Sequence, residues 1–156
     1  MKLITTKPLL INVVGKPAPQ GSKVRTRYGM KEASTFVAPW RNQVVSACVD
    51  QCINEGKVIT EPVKVEISFT FFRPKSHFGT GKNEGLLKPS APQFPTSKLI
   101  GDIDKLCRST LDGLSVSSGG ILLEDDSLVM QLVAEKFYVP MKPPNKQGAW
   151  IRVSKL

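Results

Sequence analysis

The sequence predicts an α+β fold: a mixed β-sheet packed by two main helices, in one small domain spanning residues 1–156. A chain of this length is sufficient for one hydrophobic core, and an apolar content of 40% is typical of a globular protein. Apolar residues alternate in some segments and recur at helical spacing in others, which predicts separate strands and helices. The predicted element order is β-α-β-loop-α-β-β-β.

The first half of the chain predicts a strand, a helix and a second strand. An apolar run indicates a strand over Leu9–Val14, and a turn-rich loop follows from Lys16 to Lys23. Apolar residues recur at helical spacing from Trp40 to Ile53, after Pro39, which suits a first helical turn. Strict alternation of apolar and polar residues predicts a half-buried strand over Val63–Phe71.

The second half begins with a long segment that lacks periodicity. Residues 74–98 are rich in Pro, Gly and Lys and exceed ordinary loop lengths, so we expect a mobile basic loop there. Helical spacing returns over Ile103–Leu114 and predicts a second amphipathic helix. Three further strands are predicted, over Gly119 to Leu123, Leu128 to Val139 and Trp150 to Val153.

The composition also indicates a compartment. No apolar run approaches the roughly 20 residues that a membrane span requires, and no export signal is evident in the first residues. The three cysteines, Cys48, Cys52 and Cys107, cannot make a disulfide framework, so we expect core thiols in a reducing compartment. We therefore expect a cytoplasmic protein that does not associate with membranes.

Charge is distributed unevenly along the chain. The net charge is +9, yet residues 102–126 hold six acidic and two basic side chains, a local charge of −4. A basic body suits a polyanion such as nucleic acid, but carboxylates would repel phosphates unless a bound cation reversed the local sign. Carboxylate oxygens suit Mg²⁺, while a single His and no paired Cys motif argue against zinc.

Two aspartate pairs form this acidic region. Asp102 and Asp104 would diverge on a regular helix but share a face on extended backbone, so we expect Asp102 before the second helix and Asp104 at its cap or in its first turn. Asp125 and Asp126 follow an apolar run at a predicted strand end. Either pair alone is explained by a structural role, as a helix cap with ion pairs to Arg108 or as an acidic surface turn. Two pairs in one basic chain favour a metal site.

The order of these residues resembles a known nuclease family. The run from Gly101 to Leu114, followed by the run from Leu122 to Val129 and then by Lys136, is similar to the RusA family of Holliday-junction resolvases. The run from Pro17 to Lys23, followed by Trp40 and Arg41, resembles phage-encoded members. Residues 115–120 make the acidic loop longer than in compact members, and the sequence offers no function for them. The combined pattern is more specific than either aspartate pair alone.

This resemblance implies a small homodimeric endonuclease, in a bacterial or phage-infected cell, that nicks opposing strands of four-way DNA junctions in recombination and repair. It implies Mg²⁺, with Mn²⁺ as the alternative, held by Asp102, Asp104 and Asp126, with Asp125 beside them. The family lysine four residues past the second aspartate corresponds to Arg108, which keeps a positive charge but exchanges a proton poorly. Lys105 would supply part of that role.

Basic side chains would contact DNA phosphates without reading sequence. The candidates lie in the stretches 23–31 and 73–98, near the first aspartate pair and on the strand after the second: Lys23, Arg25, Arg27, Arg73, Lys75, Lys82, Lys88, Lys98, Lys105 and Lys136. The aromatic residues Tyr28, Phe78 and Phe94 would either wedge at a junction centre or pack within their own loops.

Two other classes of protein compete with this interpretation. A non-catalytic nucleic-acid-binding protein would show the same basic segments, with the aspartates serving only as cap and turn. A phosphatase or nucleotidyl-transferring enzyme also uses paired aspartates, but Asp102 does not follow a hydrophobic strand and no Gly-rich phosphate loop accompanies it. The sequence leaves open the cleavage preference, the junction selectivity, the number of metal ions and the dimer interface. The apolar residues of Trp40–Ile53 and Val63–Phe71 could form that interface, but a monomer core explains them more simply.

Overall fold

A four-stranded mixed sheet forms the centre of the computed structural model, which describes residues 6–21, 23–32, 35–140 and 146–156. For residues 23, 24 and 30–32 the backbone alone is described. In chain order the elements are β1 (Leu9–Val14), β2 (Lys23–Thr26), β3 (Gly29–Glu32), α1 (Val37–Asp50), β4 (Val63–Phe71), α2 (Ile103–Leu114), β5 (Val129–Tyr138) and β6 (Gly148–Lys155).

The strand order in the sheet is β1-β6-β4-β5. The pairs β1–β6 and β6–β4 are antiparallel, whereas β4 and β5 are parallel. A parallel pair requires a crossover between its strands, and here the crossover contains α2. The aspartates of residues 102–126 therefore lie on the connection that carries the chain from one parallel strand to the other.

One face of the sheet forms the hydrophobic core. The side chains of Val65, Ile67 and Phe69 on β4 are at most 1% exposed, and α1 and α2 pack against each other in the same core. Trp40 of α1 is buried, and its Nε1 donates a hydrogen bond of 3.0 Å to Oγ1 of Thr110 on α2. Because a buried indole N–H needs a partner, this bond fixes the two helices relative to each other.

The opposite face of the sheet carries exposed apolar side chains. Trp150 of β6 pairs with Ser68 of β4 and is 55% exposed, and Leu10 of β1 is 57% exposed. Val133 and Phe137 of β5 lie on the same face and are also exposed. We call Leu10, Val133, Phe137 and Trp150 the outer apolar face.

The α+β fold and its mixed sheet confirm the prediction. The strands Leu9–Val14 and Val63–Phe71 and the helix Ile103–Leu114 have the predicted bounds. The strand predicted from Leu128 to Val139 is one residue shorter at each end, and β6 extends beyond the predicted Trp150 to Val153 at both ends. Strong periodicity was thus sufficient to locate these elements.

Two predicted elements differ from the observed ones. The first helix ends at Asp50 rather than at Ile53, because Cys52 adopts a left-handed backbone with φ of 51° and a short 3₁₀ turn follows. The strand predicted from Gly119 to Leu123 is absent. The N–H groups of Leu122 and Leu123 instead donate to the carbonyl oxygen of Leu114, at 3.0 and 2.8 Å, which ties this segment to the end of α2.

The basic stretch 23–31 contains a β-hairpin that was not predicted. Strands β2 and β3 pair antiparallel across a turn at Arg27 and Tyr28, and Gly29, which begins β3, has a φ of +118°. Oγ1 of Thr26 donates to the Gly29 carbonyl oxygen at 2.7 Å and accepts from the Tyr28 N–H at 3.2 Å. Four-residue strands are too short to show a clear alternation, so the sequence pattern did not indicate them.

The segment 74–98 has local structure of its own. It contains the 3₁₀ turns Lys75–His77 and Gly81–Asn83, and the Gly79 N–H donates to the Leu86 carbonyl oxygen at 2.9 Å. The predicted mobility of this segment remains a prediction. Among the described residues, no helix has the length and apolar character needed to cross a membrane.

Candidate active site

Asp102 lies at the start of α2, as predicted. It is the N-cap residue, with extended backbone angles of −74° and 146°, and its carbonyl oxygen accepts the helical hydrogen bond from the Leu106 N–H at 3.0 Å. Its exposed side chain makes no capping hydrogen bond. An N-cap aspartate usually accepts a bond from the first helical turn, so the Asp102 carboxylate is left available to a ligand.

Asp104 lies in the first turn of α2 and pairs with its neighbour. Nζ of Lys105 lies 3.0 Å from Oδ2 of Asp104, whose side chain is 68% exposed. The Lys105 hydrogen bond, followed by its charge, holds the pKa of Asp104 below its usual value. Asp104 is therefore ionised at neutral pH, with an amine beside it.

The second aspartate pair forms a short turn before β5. Oδ1 of Asp125 accepts a hydrogen bond of 2.5 Å from Ser117 Oγ, and its Oδ2 accepts one of 3.0 Å from the Ser127 N–H. These bonds, the Ser117 bond foremost, lower the pKa of Asp125 to about 2. Asp126 is exposed and makes no side-chain hydrogen bond with any described residue. Asp125 thus shapes the turn, and Asp126 projects from it.

The segment 115–120 supports this acidic turn. The Val116 N–H donates to the Leu123 carbonyl oxygen at 2.7 Å, and the Ser117 N–H donates to the Glu124 carbonyl oxygen at 3.3 Å. Arg41 on α1 donates through Nη2 to the Ser118 carbonyl oxygen. The segment 115–120 therefore links the acidic turn to α1. The sequence did not suggest this role.

The structure brings the elements of the two aspartate pairs into contact. Helix α2 contacts both the 3₁₀ turn Asp126–Leu128 and β5. In the described part of the chain, however, no three His, Cys, Asp or Glu side chains lie close enough together to hold a metal ion. The carboxylates are therefore on neighbouring elements without forming a closed ligand cage.

Arg108 is exposed on α2, one turn past Asp104. The ion pairs expected of a purely structural helix face, from Arg108 to Asp104 and to Asp112, are absent within the described residues. Asp112 instead accepts a hydrogen bond of 2.7 Å at Oδ2 from Nε2 of Gln20. The Arg108 guanidinium is thus uncommitted and faces solvent.

The segment before the β-hairpin packs along α2. The Gln20 N–H donates to the Lys105 carbonyl oxygen at 3.0 Å, and Ser109 Oγ donates to the Ala18 carbonyl oxygen at 2.5 Å. A Cβ atom at Gly21 would lie 2.4 Å from Cδ of Lys105, so a larger residue there would require the flexible Lys105 side chain to move. Sequence reasoning missed Gln20, because nothing in its spacing indicates a contact to a residue 92 positions away.

Lys136 contacts the residue before Asp102. Its Nζ donates a hydrogen bond of 3.0 Å to the Gly101 carbonyl oxygen. Gly101 has a φ of +98°, and a Cβ atom there would lie 2.5 Å from Cγ of Pro19. Residue 101 must therefore be glycine, and Lys136 and Pro19 hold the backbone that leads into Asp102.

The basic DNA-binding candidates occupy different surroundings. The side chain of Lys23 lies outside the described part of the structure, and Arg73 and Lys105 make contacts within the chain. The remaining candidates on the hairpin and in the segment 74–98 are exposed: Arg25, Arg27, Lys75, Lys82, Lys88 and Lys98. These six side chains are available to phosphates.

The three aromatic candidates also differ. Tyr28 at the tip of the hairpin is 92% exposed and Phe94 is 55% exposed, whereas Phe78 is half-buried and lines a cavity in the segment 74–98. Phe72, which lines the same cavity and is 54% exposed, was not singled out from the sequence. Phe72 directly follows β4, whose alternating apolar residues lie in the core, so the sequence did not distinguish it from those core residues.

Comparison with known proteins identifies one family. The family model described as endodeoxyribonuclease RusA matches residues 11–143 of the 156-residue chain. No curated protein matches the chain. The matched region contains both aspartate pairs, Arg108 and Lys136, and it extends from β1 to beyond the end of β5.

Proposed function

Because the chain belongs to the RusA endodeoxyribonuclease family, we propose that it cuts four-way DNA junctions by paired, Mg²⁺-dependent phosphodiester incision in recombination and repair. The observation that carries this proposal is a pair of carboxylates within the matched region. Asp102 and Asp126 are exposed, lie on contacting elements and form no side-chain hydrogen bond with the described residues.

The chemistry of these donors fits a hard divalent cation. Carboxylate oxygens suit Mg²⁺ or Mn²⁺, and Mg²⁺ commonly keeps several waters and takes phosphate oxygens from its substrate. Two free carboxylates on neighbouring elements therefore suit Mg²⁺. They would not satisfy a cation that takes all of its ligands from the protein. We assign Asp102 and Asp126 as the main ligands. Asp104 would join them only after a side-chain movement away from Lys105, because in the described part of the chain no three such side chains lie close enough together to hold a metal ion. Asp125 would mainly hold the position of Asp126.

The side chains around these ligands would handle the phosphate. When bound, the ion would lower the pKa of a coordinated water and offset negative charge on the scissile phosphate. Arg108 faces solvent and would hold the phosphate oxygens through its guanidinium group. Because arginine exchanges a proton poorly, proton donation to the leaving oxygen would come from Lys105 or from water.

The basic surface would supply affinity for DNA. Exposed lysine and arginine side chains on the hairpin and in the segment 74–98 would contact phosphates, which positions the duplex without reading its sequence. Increasing salt should therefore weaken junction binding steeply.

Paired incision needs two active sites, so we propose a homodimer. The apolar residues of α1 and β4 lie mainly in the monomer core, which leaves the outer apolar face as the better candidate for the interface. This face also carries Glu66, which is 3.6 Å from Arg152 and 3.6 Å from Lys64. Charges of both signs on one face suit contact with a second copy of the same face.

Cleavage of a labelled four-way junction tests the proposal. The protein should cut the junction in Mg²⁺ or Mn²⁺, fail to cut it in EDTA, and cut a linear duplex of the same sequence far more slowly. Asp102→Asn and Asp126→Asn should each lower the cleavage rate by on the order of a hundredfold or more while leaving junction binding intact. Asp112→Asn is the matched control, because Asp112 binds Gln20 and an asparagine Oδ1 can accept the same bond.

Two outcomes would contradict the proposal. If Asp102→Asn and Asp126→Asn both cut at the wild-type rate, these residues are not the ligands. If the wild-type protein binds junctions but never cuts them with either metal, the protein is a non-catalytic binder of nucleic acid.

A further inference from the structure

A cavity of about 780 Å³ lies where β4 and β5 end, away from the aspartates in sequence. Strand β4 ends at Phe71 and β5 at Tyr138, and the residues that follow both strands form one side of the cavity. The segment 78–85 forms the other side. The lining includes Phe72, Arg73, Lys75, Phe78, Gly79 and Glu84.

Internal contacts hold the walls of this cavity in place. The Arg73 guanidinium lies 4.2 Å from the centroid of the Tyr138 ring, and its Nη1 donates to the Pro92 carbonyl oxygen at 2.7 Å. The ring of His77 meets the same tyrosine edge-on at 5.4 Å, and the Lys88 N–H donates to the His77 carbonyl oxygen at 2.8 Å. A cavity whose walls are already ordered costs less to fill than one that a ligand must assemble.

The lining combines aromatic, glycine and charged groups. Phe72 is 54% exposed and Phe78 is half-buried, so both offer ring surface to a ligand. A Cβ atom at Gly79 would lie 2.7 Å from Cβ of Asn83, so glycine there lets this wall of the cavity fold back on itself. Lys75 and Arg73 bring positive charge to the lining, against the single carboxylate of Glu84. Aromatic faces with adjacent cations suit a base and the phosphate beside it.

We propose that this cavity takes one unstacked nucleotide from the centre of the DNA junction, with the base against Phe72 and Phe78 and its phosphate near Lys75. The proposal rests on the proposed function, because it takes its ligand from the same junction. A volume of about 780 Å³ falls within the range of small-molecule sites, roughly 300–1,000 Å³, and accommodates a nucleotide. Unstacking costs least where the stack is already interrupted, as at the strand-exchange point of an open junction.

The experiment measures base unstacking without cleavage. A four-way junction with 2-aminopurine at the exchange point is titrated with Asp126→Asn protein in EDTA, and the fluorescence of the 2-aminopurine is recorded. The fluorescence should change on binding, and adding Phe72→Ala and Phe78→Ala to this protein should abolish that change. Junction affinity should fall roughly tenfold, as for the loss of one stacked base.

Further variants keep this test interpretable. Phe36→Ala removes a phenylalanine that is 58% exposed elsewhere on the surface, so it should leave both signals unchanged. Lys75→Gln should weaken junction binding but retain the fluorescence change at saturating protein. This variant tests the site independently if the double phenylalanine variant fails to fold. Circular dichroism reports on folding in each case.

The proposal is overturned if the double phenylalanine variant is folded and matches the parent in fluorescence and affinity. It is also overturned if that variant instead changes from dimer to monomer with an unaltered fluorescence response, since the cavity would then hold a second copy. Failure of the proposed function is distinct. A wild-type protein that unstacks the base but never cuts would contradict the nuclease activity and leave the nucleotide site standing.

Discussion

Oγ of Ser117 donates a 2.5 Å hydrogen bond to Oδ1 of Asp125, joining the segment 115–120 to the acidic turn. The same carboxylate accepts the Ser127 N–H, so Asp125 is held from both sides. Asp126, the next residue, remains free to project from the turn. The bond between Ser117 and Asp125 therefore connects the segment 115–120, which carries no ionisable side chain, to the residue next to the proposed metal ligand Asp126.

Ser117→Ala should lower the cleavage rate by roughly tenfold at limiting Mg²⁺, because residues that orient a ligand typically contribute 10- to 100-fold to metal affinity or activity. Raising the Mg²⁺ concentration should restore most of the rate, which distinguishes weaker metal binding from a lost chemical group. Ser118→Ala is the control, since Ser118 contacts Arg41 through its backbone carbonyl oxygen. Equal Mg²⁺ dependence in both variants would show that the Ser117 bond has no part in metal binding.

Lys136→Met should slow cleavage by roughly tenfold without weakening junction binding. The Lys136 amine holds the Gly101 carbonyl oxygen, and Gly101 leads directly into Asp102, so its loss should displace a ligand rather than a DNA contact. Rates at saturating protein and dissociation constants in EDTA measure the two effects separately. Lys155→Met, at the end of β6, is the control.

A different result would support the other role predicted for this lysine. If Lys136→Met binds the junction more weakly and cuts at an unchanged maximal rate, Lys136 is a phosphate contact, as its place among the DNA-binding candidates implies.

The sequence predicted the elements that have strong periodicity and the local geometry at Asp102 and Asp104. Asp102 is the N-cap of α2 and Asp104 lies in its first turn, and both places follow from where the helical spacing begins in the chain. The convergence of the two carboxylates remains a prediction. The sequence could not reveal the bond from Ser117 to Asp125 or the contact of Lys136 with Gly101. Such contacts depend on how loops fold against the helical layer, and no local pattern encodes them.

The three thiols should differ in their accessibility to reagents, whereas the sequence predicted that all three lie in the core. Cys48 and Cys107 are buried, but Cys52 is exposed because the chain leaves α1 just before it. A disulfide reagent should therefore modify one thiol per native chain and three after unfolding in urea. Cys52→Ser should abolish the fast reaction. Rapid modification of two or more thiols in the native protein would contradict the predicted burial.

Burial of Cys48 should make stability depend on pH above neutrality. Desolvation raises the pKa of Cys48 to about 11, whereas the same thiol in the unfolded chain ionises near 9. The folded state thus holds the proton more tightly. The contribution of this thiol to the free energy of unfolding is fully present below pH 9 and is lost as the pH rises toward 11. Urea unfolding should show a loss on the order of 1–2 kcal/mol over this interval.

A variant isolates this effect. Cys48→Ala is less stable at all pH values because it leaves a cavity, but its free energy of unfolding should decline less between pH 9 and 11 than that of the wild type. Identical declines in both proteins would assign the pH dependence to other groups.

Trp150→Arg should convert the proposed dimer to a monomer. Trp150 is 55% exposed in the outer apolar face, and a buried guanidinium without a partner would strongly destabilise an interface. Phe36→Arg adds the same charge at a residue of similar exposure away from this face, so it should leave the dimer intact. Sedimentation velocity measures the mass of each protein. On a cruciform plasmid, the Trp150→Arg protein should yield nicked circles where the wild type yields linear DNA. A Trp150→Arg dimer that still makes paired cuts would place the interface elsewhere.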